Sequence, residues 1–301
     1  MSGPRGRGGY VVPAGGDGDG VSKTAILFPG QGSLTSDAAE RARRSWPELV
    51  DRAAALVGED PFDRASDSTR LAQPAIIVAS MAAWRERDDD LHDVCAMAGH
   101  SLGELSALAA TGALTIDDAL ALVVLRGRLM ADAAADRPDG GMVALLGADP
   151  DQARDLAARC GVRIANDNAP GQVVVSGNGT ALDVVVAEAR AAGFKAMALD
   201  VAGAFHSADM APAELPFKLA VEDVAMTAPR VPVISGLTAR PFSDLPYELS
   251  RAIVSPVLWR EVMTALVALG AKQFVDVGPG RVLERLVKRN LAEVQADVVA
   301  A

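Results

Sequence analysis

Val94-Cys95-Ala96-Met97-Ala98-Gly99-His100-Ser101-Leu102-Gly103-Glu104 decides how this chain is read. The apolar run at its start predicts a buried strand, and Leu102 to Leu114 predicts a helix. Between them, Gly99-His100-Ser101-Leu102-Gly103 fits the G-x-S-x-G nucleophile elbow. Its two glycines permit a sharp turn and close backbone approach, which leaves the serine hydroxyl at the tip. There it faces the N-terminus of the next helix, where free N–H groups and the dipole favour negative charge. Ser101 is therefore a candidate nucleophile.

Outward from the elbow, strands and helices alternate. Thr24 to Phe28 predicts a strand buried on both faces, running into the turn-forming loop Pro29-Gly30-Gln31-Gly32-Ser33. That loop is either a plain strand-to-helix turn or a place where backbone approaches a ligand. Ser36 to Val57 is helical with a break at Pro47, and Ala72 to Trp84 is an apolar helix. A further helix, Ile116 to Ala135, carries Arg126 among Leu122, Val123, Leu129 and Met130 at helical spacing. An unpaired guanidinium on that apolar face would be costly. It snorkels, pairs internally, or binds a substrate carboxylate, for which its planar fork is suited.

From Arg137 the pattern changes to strand 141–147, helix 149–160, strand 162–166, strand 172–176, helix 180–192 and strand 195–201. This β-α-β-β-α-β order predicts a ferredoxin-like subdomain. The fold expected is thus α/β, with an α/β-hydrolase-like core on a parallel sheet (23–136 and 204–291) and the inserted subdomain (137–203). Residues 1–22, rich in glycine with scattered charges, are expected to be a disordered leader, and residues 292–301 a tail. Arg251 to Leu269 is expected to be mainly helical. Lys272 to Val277 predicts the last strand, and Val282 to Asn290 the last helix.

The chain has 301 residues, half of them hydrophobic, which is enough for a large core. No apolar run approaches ~18 residues, and no signal-peptide pattern precedes the first strand, so a cytoplasmic protein without a membrane span is expected. The formal charge of −10 argues against nucleic-acid binding. Cys95 and Cys160, the two cysteines, sit among apolar neighbours and are expected to be buried, reduced thiols, with no disulfide or zinc site. Three histidines are candidates to activate Ser101. His92 stands in a charged, solvated stretch. His100 adjoins the serine but leaves the turn in another direction. His206, in Gly203-Ala204-Phe205-His206-Ser207, is the better base.

Seven stretches, in order over residues 24 to 290, resemble the malonyl-CoA:acyl-carrier-protein transacylases of fatty-acid synthesis and the acyltransferase domains of polyketide synthases. They are Phe28-Pro29-Gly30-Gln31-Gly32-Ser33, Gly99-His100-Ser101-Leu102-Gly103-Glu104, Arg126-Gly127-Arg128-Leu129-Met130 and Asn168-Ala169-Pro170-Gly171-Gln172-Val173-Val174, followed by Ala204-Phe205-His206-Ser207, Pro256-Val257-Leu258-Trp259 and Val277-Gly278-Pro279-Gly280. The resemblance implies an acyltransferase that moves malonyl from CoA to the phosphopantetheine thiol of an acyl carrier protein. Ser101 would be the nucleophile and His206 its base, oriented by a backbone carbonyl near Leu258. The N–H groups of Gln31 and Leu102 would form the oxyanion hole, and Arg126 would hold the malonyl carboxylate. Phe205 would fill the space of a 2-methyl group and favour malonyl over methylmalonyl. Gln172 is given no chemistry.

No cofactor beyond the CoA and phosphopantetheine thioesters, no metal and a monomer are expected. Carrier proteins are acidic, so Arg285, Lys288 and Arg289 are candidate contacts for one. Leu34 and Leu258 depart from the family pattern, in which polar residues are common. A thioester hydrolase, or a transacylase for another acyl-CoA, is the alternative that Ser101 and His206 alone leave open.

Overall fold

The computed structural model describes residues 10–13, 23–87 and 93–300; His92 and most of the expected leader lie outside them. Strands β1 (Tyr10–Pro13) and β2 (Lys23–Phe28) precede helices α1 (Ala38–Ser45), α2 (Pro47–Val57) and α3 (Thr69–Arg85). Strand β3 (Val94–Gly99) feeds α4 (Gly103–Ala110) and the long α5 (Ile116–Ala135). Then come β4 (Gly140–Leu146), α6 (Pro150–Cys160), β5 (Arg163–Ala169), β6 (Gln172–Asn178), α7 (Gly179–Ala191) and β7 (Lys195–Ala198). The chain closes with α8 (Ala211–Glu222), β8 (Val233–Ile234), α9 (Leu245–Arg251), α10 (Trp259–Ala268), β9 (Ala271–Asp276) and α11 (Val282–Ala300).

The larger sheet has the order β1-β9-β2-β3-β8. The three pairings along its run from β9 to β8 are parallel, with Ile26 opposite Met97 and Val275, and Met97 opposite Val233. The period-2 alternation of a strand buried on both faces divides the core in two. Ile26, Phe28, Met97 and Val275 face one apolar cluster, with α3, α4 and α5; Ala25, Leu27, Ala98 and Phe274 face the other, with α10 and α11. The smaller sheet, β5-β6-β4-β7, is antiparallel throughout. One face, with Val143, Leu145, Val173 and Val175, is covered by α6 and α7. The other, with Met142, Ala144 and Val174, joins the main core.

Several expectations are corrected. Residues 10–13 of the expected leader form an antiparallel edge strand on β9, with Val11 opposite Val275. Helix α3 begins at Thr69, three residues early, because the Ser68 hydroxyl accepts from the Arg70 N–H and caps it. Helix α4 ends at Ala110 instead of Leu114, since Gly112 turns the chain with φ +76°. The stretch 251–269 is not one helix: a short 3₁₀ turn at Ala252–Val254 gives way to non-helical backbone through Leu258 before α10. Pro256 removes an N–H there and biases Ser255 to extended backbone. At the C-terminus, no glycine or proline interrupts residues 291–300, and α11 runs on to Ala300 where a tail was expected. Among the described residues, no helix is long and apolar enough to cross a membrane.

Candidate active site

Ser101 stands where β3 turns into α4, with φ 54°, in the left-handed region that few non-glycine residues adopt. The flanking glycines make the turn possible. A Cβ on Gly99 would lie 1.9 Å from the Gly103 carbonyl carbon, and one on Gly103 would lie 2.2 Å from the Phe28 oxygen. Neither fits, so both positions require glycine if the elbow is to pack against β2. The serine hydroxyl is thereby thrust into a cavity of about 380 Å³ whose lining includes Gln31, Gln73, Arg126, Met142, Phe205 and His206.

His206 comes from the far side of the smaller sheet in sequence, yet its Nε2 lies 2.9 Å from Ser101 Oγ. It too has positive φ, 58°. The turn that holds it is tied by the Ser207 hydroxyl, which donates to the Ala204 carbonyl at 2.6 Å. His206 Nδ1 lies 2.9 Å from the Ala252 carbonyl and 3.1 Å from that of Ser255. Carbonyls only accept, so Nδ1 carries the proton, and the Nε2 lone pair receives the Ser101 hydroxyl. The expected orienting carbonyl near Leu258 is thus corrected. The Leu258 oxygen accepts from Val262 N–H in the first turn of α10, and its N–H donates to Gly236. The carbonyls left over for the histidine are those at the start of the 3₁₀ turn and just after it.

Burial, followed by the nearby Arg126 charge, pushes His206 down to about 3, against the two carbonyls that favour its charged form. At neutral pH it is an uncharged imidazole. Arg126 is 4% exposed. Its Nη1 donates to Gln73 Oε1 at 2.8 Å and its Nη2 to Ser101 Oγ at 3.0 Å. Of the three fates open to that guanidinium, snorkelling is excluded; it lies in the cavity beside the serine. Burial lowers it to about 10, opposed by the charge of Glu104, so it remains a cation at pH 7. Glu104 is itself buried and pushed up to about 8, and it accepts the Gly236 N–H at 2.6 Å. Gln31 and Leu102 line the same cavity, and no hydrogen bond among the described residues engages either backbone N–H.

Phe205 is buried and joins the main core while its ring borders the cavity. His100 does leave the elbow in another direction: its Nε2 donates to Asn168 Oδ1 at 2.8 Å and its ring meets Trp259. Arg285, Lys288 and Arg289 share the exposed face of α11, whose first residue, Val282, lines the cavity. Lys288 pairs with Glu284, and Arg289 donates to Gln172 Oε1. Cys95 and Cys160 are free thiols, half-buried instead of fully buried. Among the described residues no cluster suited to a metal ion occurs.

Gln73, Thr69 and the two carbonyls at Ala252 and Ser255 were not read from the sequence. Gln73 left a signal: a lone amide within the apolar run of α3, four residues after Thr69, on a helix packed against the one that carries Arg126. The carbonyls left none, because any residue supplies one.

Residues 37–301 match the family model described as an acyl transferase domain. The chain is 36% identical over 94% of its length to the polyketide biosynthesis protein ThaF of Burkholderia thailandensis, and spans 25% of that longer protein. It is 35% identical to the malonyl CoA-acyl carrier protein transacylase of Bacillus subtilis, with 89% of this chain and 90% of that one covered. Among solved structures, a malonyl-transacylase in complex with a holo acyl-carrier protein of a type II polyketide synthase superposes with a TM-score of 0.83. It is 30% identical, with 89% of this chain and 93% of that one covered.

Proposed function

The chain belongs to the acyl transferase domain family, among the malonyl-CoA:acyl-carrier-protein transacylases, and from that premise we propose that it transfers malonyl from CoA to a carrier-protein thiol through Ser101. One observation carries the proposal: a single serine oxygen lies within 3.0 Å of both a neutral imidazole and a buried guanidinium. Imidazole and serine alone would serve any acyl group. The guanidinium selects one with a carboxylate. A malonyl ester on Ser101 carries its free carboxylate two bonds beyond the ester carbon, a reach that returns it to a guanidinium already touching that oxygen.

The steps follow from these positions. His206 Nε2 takes the hydroxyl proton as Ser101 Oγ attacks the thioester carbonyl. The N–H groups of Gln31 and Leu102 stabilise the oxyanion, aided by the N-terminus of α4. The C–S bond breaks, the CoA sulfur leaves with the proton from His206, and malonyl remains as an ester on Ser101. The phosphopantetheine thiol then gives its proton to His206 and attacks the ester; the ester C–O bond breaks, Ser101 Oγ takes the proton back from His206, and malonyl departs as the new thioester. The phosphopantetheine group arrives on its carrier, so the chemistry draws on no resident cofactor. Phe205 borders the cavity where a 2-methyl group would sit, a contact worth ~1–3 kcal/mol of preference for malonyl. Arg285, Lys288 and Arg289, exposed on the helix whose first residue lines the cavity, are the proposed contacts for an acidic carrier protein.

The finer fold reading is of an α/β-hydrolase-like core (23–136 and 204–291) with a ferredoxin-like insert (137–203). The parallel run β9-β2-β3-β8 and the order β5-β6-β4-β7 support it. The deciding experiment incubates the protein with malonyl-CoA, with and without holo carrier protein. Malonyl-Ser101 and carrier-dependent transfer are expected. Rapid CoA release without transfer would mean a hydrolase and sink the proposal.

A further inference from the structure

Arg126 and Gln31 approach Ser101 from different elements, and three hydrogen bonds, two buried and the one at Gln31 part-buried, join them. Arg126 Nη1 donates to Gln73 Oε1 at 2.8 Å, Gln73 Nε2 donates to Thr69 Oγ1 at 3.0 Å, and Thr69 Oγ1 donates to Gln31 Oε1 at 3.0 Å. Thr69 is 2% exposed and Gln73 1%. All three bonds run in the same sense, away from the cation, so each polarises the next.

We propose that Thr69 is a positioning residue whose hydroxyl ties the oxyanion loop at Gln31 to the carboxylate-binding arginine. The inference rests on the malonyl-transfer reading above. Two features point to it. The Thr69 hydroxyl is not needed to cap its own helix, because Ser68 already caps α3, and its proton is given outside the helix, to Gln31. The Gln31 side chain has no other hydrogen bond among the described residues. The oxyanion role belongs to the Gln31 backbone, which any residue could supply; the side chain serves as the tether. The loop that carries the N–H is then held by the same network that fixes the guanidinium. Acyl recognition and oxyanion stabilisation are kept in register across the gap between β2 and α5.

The test uses the full-length protein with malonyl-CoA and holo carrier protein. Thr69→Val keeps the shape and deletes the hydroxyl. Its kcat is expected to fall about tenfold, less than the ~10²–10³ for removing an oxyanion donor outright. KM for malonyl-CoA should stay within about threefold, since Arg126 retains Gln73. Thr69→Ser restores the hydroxyl and should recover most of kcat. Gln31→Ala, at an exposed position that does not endanger folding, should show a similar loss, and the double variant Thr69→Val/Gln31→Ala should be no slower than either single one. Wild-type kcat in Gln31→Ala, a loss in Thr69→Val confined to KM, or losses that multiply in the double variant would each overturn the tether. A wild-type protein that forms no malonyl-Ser101 overturns the transferase reading and this inference together, whereas normal transfer with an indifferent Thr69 overturns this inference alone.

Discussion

The two sheets of this molecule both bury polar side chains, and they use them for different ends. Around the C-terminal ends of β2 and β3, Ser101, His206, Arg126 and Gln73 converge on one open cavity, and two of the four have positive φ. Their hydrogen bonds leave an oxygen to react and a cation to receive a ligand. At the edge of the smaller sheet, Asp167 and Asn168 on β5 are equally buried, but they are consumed in joining the two sheets. Asp167 accepts from Arg260, Asn168 Oδ1 accepts from His100, and the Asn168 carbonyl accepts from Asn290. The Asp167 N–H donates to the Val257 carbonyl. Polar burial alone therefore does not mark a reactive site. What distinguishes the first region is strain together with donors and acceptors left facing a cavity.

The sharpest way to break that distinction is Ser101→Ala. Removing the oxygen shared by His206 and Arg126 should lower transfer by ~10⁴-fold or more and abolish the mass increment of the malonyl ester. Any persisting acyl-enzyme would move the nucleophile elsewhere. Next in size, Arg126→Ala should cost malonyl transfer ~10²–10³-fold, the scale of one lost charge-assisted contact at an acyl centre. Transfer of an uncharged acetyl group should fall far less, or rise. Equal losses for both acyl groups would mean that Arg126 serves only to hold the serine.

The same contrast explains what the sequence could reveal. The elbow was legible because its glycines are dictated by backbone approach, and Ile116 to Ala135 because its 3.6 period is unbroken; the glycine turn and that helix were read to the residue, whereas the end of the elbow's own helix at Ala110 was not. Arg126 stood out because a cation among Leu122, Val123 and Met130 demands a partner. The orienting carbonyls at Ala252 and Ser255 were not legible, since a main-chain oxygen has no sequence signature and depends on where Pro256 breaks the helix. The edge strand Tyr10–Pro13 escaped for a related reason. Its surroundings are glycine-rich, and the backbone pairing with β9 joins residues about 260 apart in the chain.

A smaller effect concerns pH. His206 lies at about 3 because of burial first and the Arg126 charge second. A depressed value means that the neutral base persists as pH falls. Acylation by malonyl-CoA should therefore stay level from pH 7 through 6.5, where a free histidine would already be half protonated. Replacing Arg126 by Gln removes one of the lowering influences, so the acid limb should move toward neutral pH, followed with acetyl-CoA as donor. An unmoved limb would sever the electrostatic link between the two groups. The sign for stability follows. The unfolded chain binds a proton at this histidine below about 6.5 and the folded one only near 3, so His206 makes the fold less stable as pH falls across that window.

Asn168→Ala should have the smallest effect on catalysis, and it probes the other side of the comparison. It leaves the His100 Nε2–H without its acceptor in a half-buried setting, and it removes nothing within reach of Ser101 Oγ. A loss of ~1 kcal/mol of stability is expected from a lost hydrogen bond at a half-buried donor, with kcat changed by less than about threefold. The two readouts should separate, because His100 packs on Trp259 and its imidazole is bonded away from the serine. If kcat instead fell by ~10²-fold at full stability, on the scale of a lost transition-state contact, the elbow geometry would depend on the smaller sheet. The division between a reacting region and a joining region would then fail at His100, the one residue that lies beside the nucleophile in sequence and is bonded to β5 in space.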